Sequence, residues 1–454
     1  MEGLPRRNKL LFTVSSLGSE ALGQSRGLWL LYAYAPPADS GREALLPLGV
    51  IGVVLTAGKL IEAFDDVLIG WWSDRTRSRL GRRLPFILGA TPLWALFAFL
   101  TFVPPENSST AATAIYLFVT YEFFNLFATL SGGPYEALLP ELAASSRDRV
   151  TLVALRVYFG VAGAAIGLVG SGLLVDRFGF RAMALVMALL AFGCRYLGMA
   201  GIWKHVDRHQ PPADLPLRDA LRATFSNTAF LLFLPTFVLF QLGLQLLTGV
   251  LPYYVTSVLG KENEGVWSAI LTAVAIGAMV VAVPVFGRLA QRTSKRQAFS
   301  WAMLGAAAAF PLLAFAGFVP GIPVLPQVLL VIMLIGFPLA GVYLFPTALT
   351  ADIVDDDASR TGHRREATFY GAQNFVEKTA GSLAPVVLTS LLLLGNTTDD
   401  PLGIRIVGPV AGAVVLIGYL VFRQFDLPDE VVPIAPLGTA GGAAPPPLPS
   451  ETSV

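Results

Sequence analysis

Twelve stretches of this chain are almost wholly apolar, and polar segments separate them. They run over about 9–35, 44–73, 84–104, 111–140, 150–175, 180–203, 227–257, 265–288, 297–318, 324–351, 366–395 and 403–423. An α-helix rising 1.5 Å per residue needs roughly 20 apolar residues to cross the hydrocarbon of a bilayer. The pattern therefore predicts twelve transmembrane helices. The first run follows Arg6, Arg7 and Lys9 but continues well past the length of a signal peptide's apolar region, with no clear small-residue cleavage site. The longest internal polar stretch, 204–226, contains Pro211, Pro212 and Pro216 and divides the runs into six and six. Each half also carries a basic loop after its second run. In the first half it is Gly70-x-x-x-Asp74-Arg75 followed by Gly81-Arg82-Arg83, and in the second Gly287 through Lys295-Arg296. Such weak repetition is expected of membrane proteins built from internal repeats. The predicted organisation is a six-helix bundle over 1–203, a cytoplasmic central loop over 204–226, a second six-helix bundle over 227–425, and a disordered tail over 426–454, rich in Pro, Gly and Ala.

Composition narrows the function. The chain is 54% apolar and only 14% charged, against roughly a quarter charged in an ordinary soluble domain. Its 32 basic residues are balanced by 31 acidic ones, so no global field attracts a nucleic acid. The single cysteine, Cys194, excludes a disulfide framework. His205, His209 and His363 all fall in loops, and no two intramembrane groups form a nucleophile–base pair. Neither an enzyme nor a resident cofactor is expected, and the longest polar segment is too short for the soluble domain of a membrane sensor.

The basic residues fix an orientation. With both termini cytoplasmic, the cytoplasmic segments hold 22 lysines and arginines and the external loops hold 5 (Arg42, Arg177, Arg181, Lys261 and Arg405). That asymmetry is the positive-inside pattern. Arginine outnumbers lysine 26 to 6, the usage of a GC-rich bacterial gene. The expected location is a bacterial inner membrane, spanned many times, with the protein a monomer.

Charges inside the predicted spans matter most, because an ionised side chain at mid-bilayer costs about 2.5–3.5 kcal/mol on insertion scales. The first half has Glu20, Arg26, Lys59, Glu62, Asp65, Asp66, Glu122, Glu136, Arg156 and Arg195, and the second has Asp352, Glu377 and Lys378. At about 100° per residue, positions 59, 62 and 66 fall within roughly 60° on one helix face, with Asp65 about 100° from Asp66. Three carboxylates within five residues repel one another and call for a cation, a proton or basic partners. The bland alternative is an ion-pair network with Lys59, Arg156 or Lys378. Lys378, in an otherwise apolar run, is expected to face the same cavity.

The second run and its loop carry a recognisable pattern. Glu62-Ala-Phe-Asp65-Asp66-Val-Leu-Ile-Gly70-Trp-Trp-Ser-Asp74-Arg75-Thr-Arg77-Ser-Arg79-Leu-Gly81-Arg82-Arg83-Leu-Pro85-Phe86-Ile87 resembles the signature of the glycoside–pentoside–hexuronide:cation symporters, the melibiose-permease branch of the major facilitator superfamily. Gly133-Pro134-Tyr135-x-Ala137-Leu138-x-Pro140-Glu141-Leu142, Ala351-Asp352-Ile353-Val354-Asp355 and the stretch from Arg364 to Lys378 extend the resemblance over nearly the whole chain. It implies an all-α fold of two six-helix bundles and cation-coupled uptake of a sugar or glycoside. By position it implies a cation site at Glu62, Asp66 and Thr129, with Asp65 beside it, holding Na⁺ in a sodium-coupled carrier. It implies substrate contacts at Glu20, Arg156, Lys378 and Tyr343, with Gln373, Tyr32 and Glu136 as further candidates. Asp74, Arg75, Arg82 and Arg83 would form a cytoplasmic latch. Two departures stand out. Glu62 replaces an aspartate, which bears on Na⁺ against H⁺, and Gly132 stands where galactoside carriers have a second sugar-binding acid, with Glu136 in place of the adjacent aromatic. The vertebrate lysophospholipid symporters share much of the pattern, so a lysolipid is the alternative substrate.

Overall fold

A computed structural model describes residues 4–76, 78–143, 146–206, 227–361 and 366–425. For 63–68, 70–71, 73–75, 140–141, 146–147, 149–150, 361, 366–368, 370–371 and 374 it describes the backbone alone. Most of the predicted central loop and all of the predicted tail lie outside the described residues.

Among the described residues the chain is helical, without strands. Helices α1 (Arg6–Tyr34), α2 (Leu48–Arg75), α3 (Leu84–Leu100), α4 (Thr110–Leu142), α5 (Ser146–Ala165) and α6 (Ser171–Ile202) make the first half. Helices α7 (Thr228–Tyr253), α8 (Glu264–Arg292), α9 (Lys295–Ala309), α10 (Leu312–Phe315), α11 (Val324–Thr361), α12 (Glu366–Gly381), α13 (Leu383–Leu392) and α14 (Leu402–Phe422) make the second. Eight of the helical stretches are long and apolar enough to cross a membrane on those criteria alone. The difference from twelve has local causes. The run of 52 residues from Thr151 to Ile202 is one helical stretch by hydrogen bonding, yet Gly179 at φ 81° breaks its direction and makes two rods of it. The rod of α3 is only 17 residues long. Helices α1 and α2 each carry several charged residues along their length. Two further predicted spans are each interrupted once. Pro311 separates α9 from α10, and the span over 366–395 divides at Ser382. Pro385, three residues on, has no N–H to donate into the helix ladder there.

Twelve rods bring both described termini to one end of the bundle, here the near end. The links 35–47, 101–109, 259–263 and 393–401 lie at the far end. In the first half α1 packs against both α5 and α6; in the second, α7 packs on α14, and α8 and α9 on α11. Small residues set these distances, as is usual where no water drives helices together. Gly163 and Gly167, one turn apart, face the backbone of α1 so closely that a Cβ on either would stand 2.2 Å from the carbonyl oxygen of Leu17 and 2.4 Å from that of Ala21. Glu20 lies between those two contact points.

The halves meet along three lines: α1 on α7, α2 on α12 and α13, and the first turns of α6 on α8. At the far end the junction is dense. Tyr32 and Thr256 share a hydrogen bond of 2.8 Å, and the Tyr253 hydroxyl donates to the Ala35 carbonyl at 2.6 Å. The Asp176 carboxylate accepts from the backbone N–H groups of Gly265 and Val266 at 2.8 and 2.6 Å. It thereby caps the first turn of a helix in the opposite half, satisfying donors that the helix itself leaves open. Arg42 pairs with Glu264 at 2.7 Å, and Asp39 accepts from the Thr398 N–H. A π-helical turn at 166–170 lies within the rod that begins with α5, and another ends α7 at 254–258. Gly172 and Gly265 touch backbone to backbone, so that a Cβ at Gly172 would lie 2.3 Å from the Gly265 oxygen. Gly172→Val is therefore expected to lower stability by about 1–3 kcal/mol through overpacking. This would be read as a fall in Tm and as reduced cross-linking between cysteines placed at Asp39 and Thr398.

Candidate substrate and cation site

The charges that the sequence puts inside the spans are gathered by the fold into two groups at the centre of the bundle. Glu62 lies midway along α2 (Leu48–Arg75), about 20 Å from either end, and Lys378 lies in the last turn of α12, where the predicted span continues into α13. Their side chains form an ion pair of 3.2 Å across the two halves, from α2 to α12. Arg26, Lys59 and Lys378 all act on the Glu62 carboxylate electrostatically. Lys59, one turn earlier on α2, donates to Gln245 of α7 at 3.2 Å. Gln241, one turn from Gln245, donates to Glu377 of α12 at 2.7 Å. Two glutamines on one face of α7 thus serve α2 and α12 together. Arg26 of α1 donates to Asn125 at 3.3 Å and stacks over Phe124, its guanidinium carbon 3.9 Å from the ring centre.

The register of α2 on α4 is set by Gly58, where a Cβ would collide with Tyr121 and Glu122. The two helices run in the same direction, one hairpin apart. Equal rise along both puts position 62 level with Asn125 and position 66 level with Thr129. Thr129 is 8% exposed. The side chains of Asp65 and Asp66 lie outside the described residues, as do those of Asp74 and Arg75. Among the described residues no three His, Cys, Asp or Glu side chains are grouped as a metal cluster.

The second group belongs to the first half. Glu136 of α4 and Arg156 of α5 form an ion pair while remaining 52% and 39% exposed. Charges do not face acyl chains at this depth, so the pair lines an interior water-accessible space. Glu20 of α1 lies within electrostatic reach of Arg156, Glu136 and Glu377, and it borders Gly160, one turn from Arg156. Tyr343 of α11 is 54% exposed and lies within electrostatic reach of Glu20 and Glu377. Glu20, Glu136, Arg156, Tyr343, Glu62 and Lys378 thus come together around the junction of the halves.

Three other predicted residues sit elsewhere. Tyr32 is fully buried in the far-end junction, packed against Trp29, Phe180 and Tyr253. Gln373 is 7% exposed and accepts from Thr350 at 2.9 Å, between α12 and α11. Arg83 donates to the Ala137 carbonyl of α4, which ties the loop of Arg82 and Arg83 to its own half. Arg195 is buried, donating to Ser19 and the Ser131 carbonyl and lying over Trp94 and Tyr135, a packing role. Arg26, Lys59, Asn125, Gln241, Gln245 and Glu377 join the site beyond the residues expected there. The one available signal for them in the sequence was polarity inside apolar runs, above all Gln241 and Gln245 four residues apart in α7.

The chain is similar to known proteins over most of its length. Residues 42–401 match the family described as MFS/sugar transport protein. The chain belongs to this family, that of the glycoside–pentoside–hexuronide:cation symporters. It is 27% identical over 445 residues to an uncharacterized symporter of Synechocystis, covering 78% of this chain and 79% of that protein. It is 21% identical to a raffinose carrier protein of Pediococcus pentosaceus, over 94% of this chain and 67% of that one. It is 23% identical to the mouse sodium-dependent lysophosphatidylcholine symporter 1, over 93% and 86%. Among solved structures, a nucleoside transporter shares the fold with a TM-score of 0.66 at 15% identity, over 92% of this chain and 99% of that one. The protein is thus a multi-pass membrane transporter of the major facilitator superfamily.

The Glu62–Lys378 pair makes a direct prediction. Removing one partner leaves the other charge poorly compensated, whereas removing both does not. Glu62→Gln and Lys378→Gln are each expected to lower stability by about 1–2 kcal/mol, scaled down for the partial exposure of Lys378. The double variant should lose less than the sum, and equal additivity in a thermal double-mutant cycle would contradict a coupled pair.

Proposed function

We propose that the protein is a cation-coupled secondary active symporter for a sugar or glycoside, working by alternating access. The Glu62–Lys378 pair carries the reading. It joins α2 of one half to α12 of the other, on the helix that bears the acidic cluster. A Na⁺ or a proton bound at Glu62, Asp66 and Thr129 competes with Lys378 for the same carboxylate. Binding frees the lysine and the neighbouring Glu377–Gln241 group to engage substrate together with Glu20 and Arg156. Substrate and cation then favour each other reciprocally, as linkage requires. Loaded and empty carriers exchange between far-end-closed and far-end-open states, while a half-loaded carrier retains an uncompensated charge and does so poorly.

A hydroxyl-rich substrate suits the second group. Glu20 and Glu136 offer acceptors, Arg156 donates in a planar fork, and Tyr343 supplies a ring and a hydroxyl. The near end is assigned to the cytoplasm on the 22 to 5 excess of basic residues there. The similarity to a lysophosphatidylcholine symporter supports a second reading, an amphiphile on the same scaffold.

Uptake into vesicles carrying the purified protein tests both. An imposed Na⁺ or H⁺ gradient is expected to drive uptake of at least one sugar in a panel of glycosides, without competition from lysophosphatidylcholine. Competition by the lysolipid and indifference to every sugar would favour the second reading. Asp66→Asn is expected to remove the cation's effect on uptake, a coupling of about 5- to 150-fold. Unchanged gradient-driven uptake in that variant would sink the mechanism.

A further inference from the structure

Away from the transport site, a groove of about 480 Å³ opens at the near end, lined by Asn8, Leu88, Tyr196, Met199, Ala200, Gly201, Trp203, Lys204 and His205. Two hydrogen bonds build its walls. Asn8 donates to the Gly201 carbonyl at 2.8 Å and fixes the start of α1 on the end of α6. Tyr196 donates to the Leu88 carbonyl at 2.8 Å and fixes α3 on α6. Between them the floor is apolar. The rim is the turn that ends α6, where the His205 N–H bonds back to the Ile202 carbonyl. Trp203, Lys204 and His205 on that turn are all exposed. Among the described residues, neither the Lys204 nor the His205 side chain is engaged in an ion pair or hydrogen bond.

We infer that this groove is a binding site for one anionic phospholipid, with an acyl chain along the apolar floor and the phosphate against Lys204 and His205. Three observations point that way. The groove lies on the outer flank of α6, beside the lipid-exposed Leu189 and Leu197 of the same helix. Along α6 the lining passes from Tyr196 through Met199 and Ala200 to Trp203 and then to Lys204 and His205, so a tryptophan separates the apolar floor from the basic rim as glycerol separates chain from phosphate. Trp favours that intermediate level, and a lysine at the end of a span extends toward the phosphates. Basic pockets between transmembrane helices suit anionic head groups, each lysine or arginine near the surface contributing about tenfold or less in affinity. A free phosphate would use the rim alone, so the apolar floor favours the lipid. By bridging α1, α3 and α6, the lipid would brace the half that holds Glu20 and Glu136.

The full-length protein in detergent, titrated with phosphatidylglycerol and followed by native mass spectrometry and by Tm, tests this. One phosphatidylglycerol should bind per chain and raise Tm, with phosphatidylcholine about tenfold weaker and inorganic phosphate without effect. Lys204→Ala with His205→Ala should weaken phosphatidylglycerol about tenfold. Ala200→Phe should weaken it comparably by filling the floor while leaving every charge in place. Arg181→Ala, at the far end, should change nothing. Equal binding of the two lipids, competition by inorganic phosphate, or full retention in either groove variant would overturn the assignment.

Discussion

The structure depends on one constraint: charges held at mid-membrane must find their partners within the protein. Glu62 meets Lys378 only when α2 and α12 lie side by side. Lys59 meets Gln245 only when α2 also faces α7. Neither half can satisfy this group alone, so the polar centre holds the halves together. Under the proposed mechanism a bound cation would exchange with Lys378 at the Glu62 carboxylate, one positive charge taking the place of another.

The rest of the bundle supports that exchange. Gly163 and Gly167 let α1 lie directly on the α5 rod, which places Glu20 beside the Glu136–Arg156 pair. Gly172 and Gly265 allow the halves to touch at the far end, where the Asp176 cap, the Arg42–Glu264 pair and the tyrosine bonds gather. These contacts are individually modest and mostly polar. They hydrogen-bond well when closed, and water can satisfy the same groups when they part. A junction built in this way can open without leaving orphaned donors behind, unlike the apolar packing inside each half. The far-end junction thus combines one close glycine contact with a set of polar ones.

Much of this was legible in the chain. The apolar runs located the rods to within a few residues except at the end of α11, which runs past the predicted 351 to Thr361; the break at Gly179 falls between two predicted runs, and those at Pro311 and Ser382 fall inside single ones. The clustering of Glu62, Asp65 and Asp66 with Lys59 marked α2, and the lone Lys378 marked α12. The pattern failed where a polar side chain served packing. Tyr32 carries a hydroxyl suited to a sugar, yet it is buried against Thr256 in the far-end junction. Gln373 satisfies Thr350. Conversely, Gln241 and Gln245 attract little notice in an apolar run because an uncharged amide costs far less to bury than an ion.

The sequence by itself determined the helical rods and the inventory of intramembrane charges, because hydrophobic length and the expense of burying an ion are properties of local composition. It could not determine partners. Whether Lys378 meets Glu62, Glu377 or Asp66 depends on which helices adjoin and in what register, and that is set by contacts between residues hundreds of positions apart. The tertiary structure decided that Glu62 pairs with Lys378, that Gln241 and Gln245 join the group, and that Tyr32 belongs to the far-end junction.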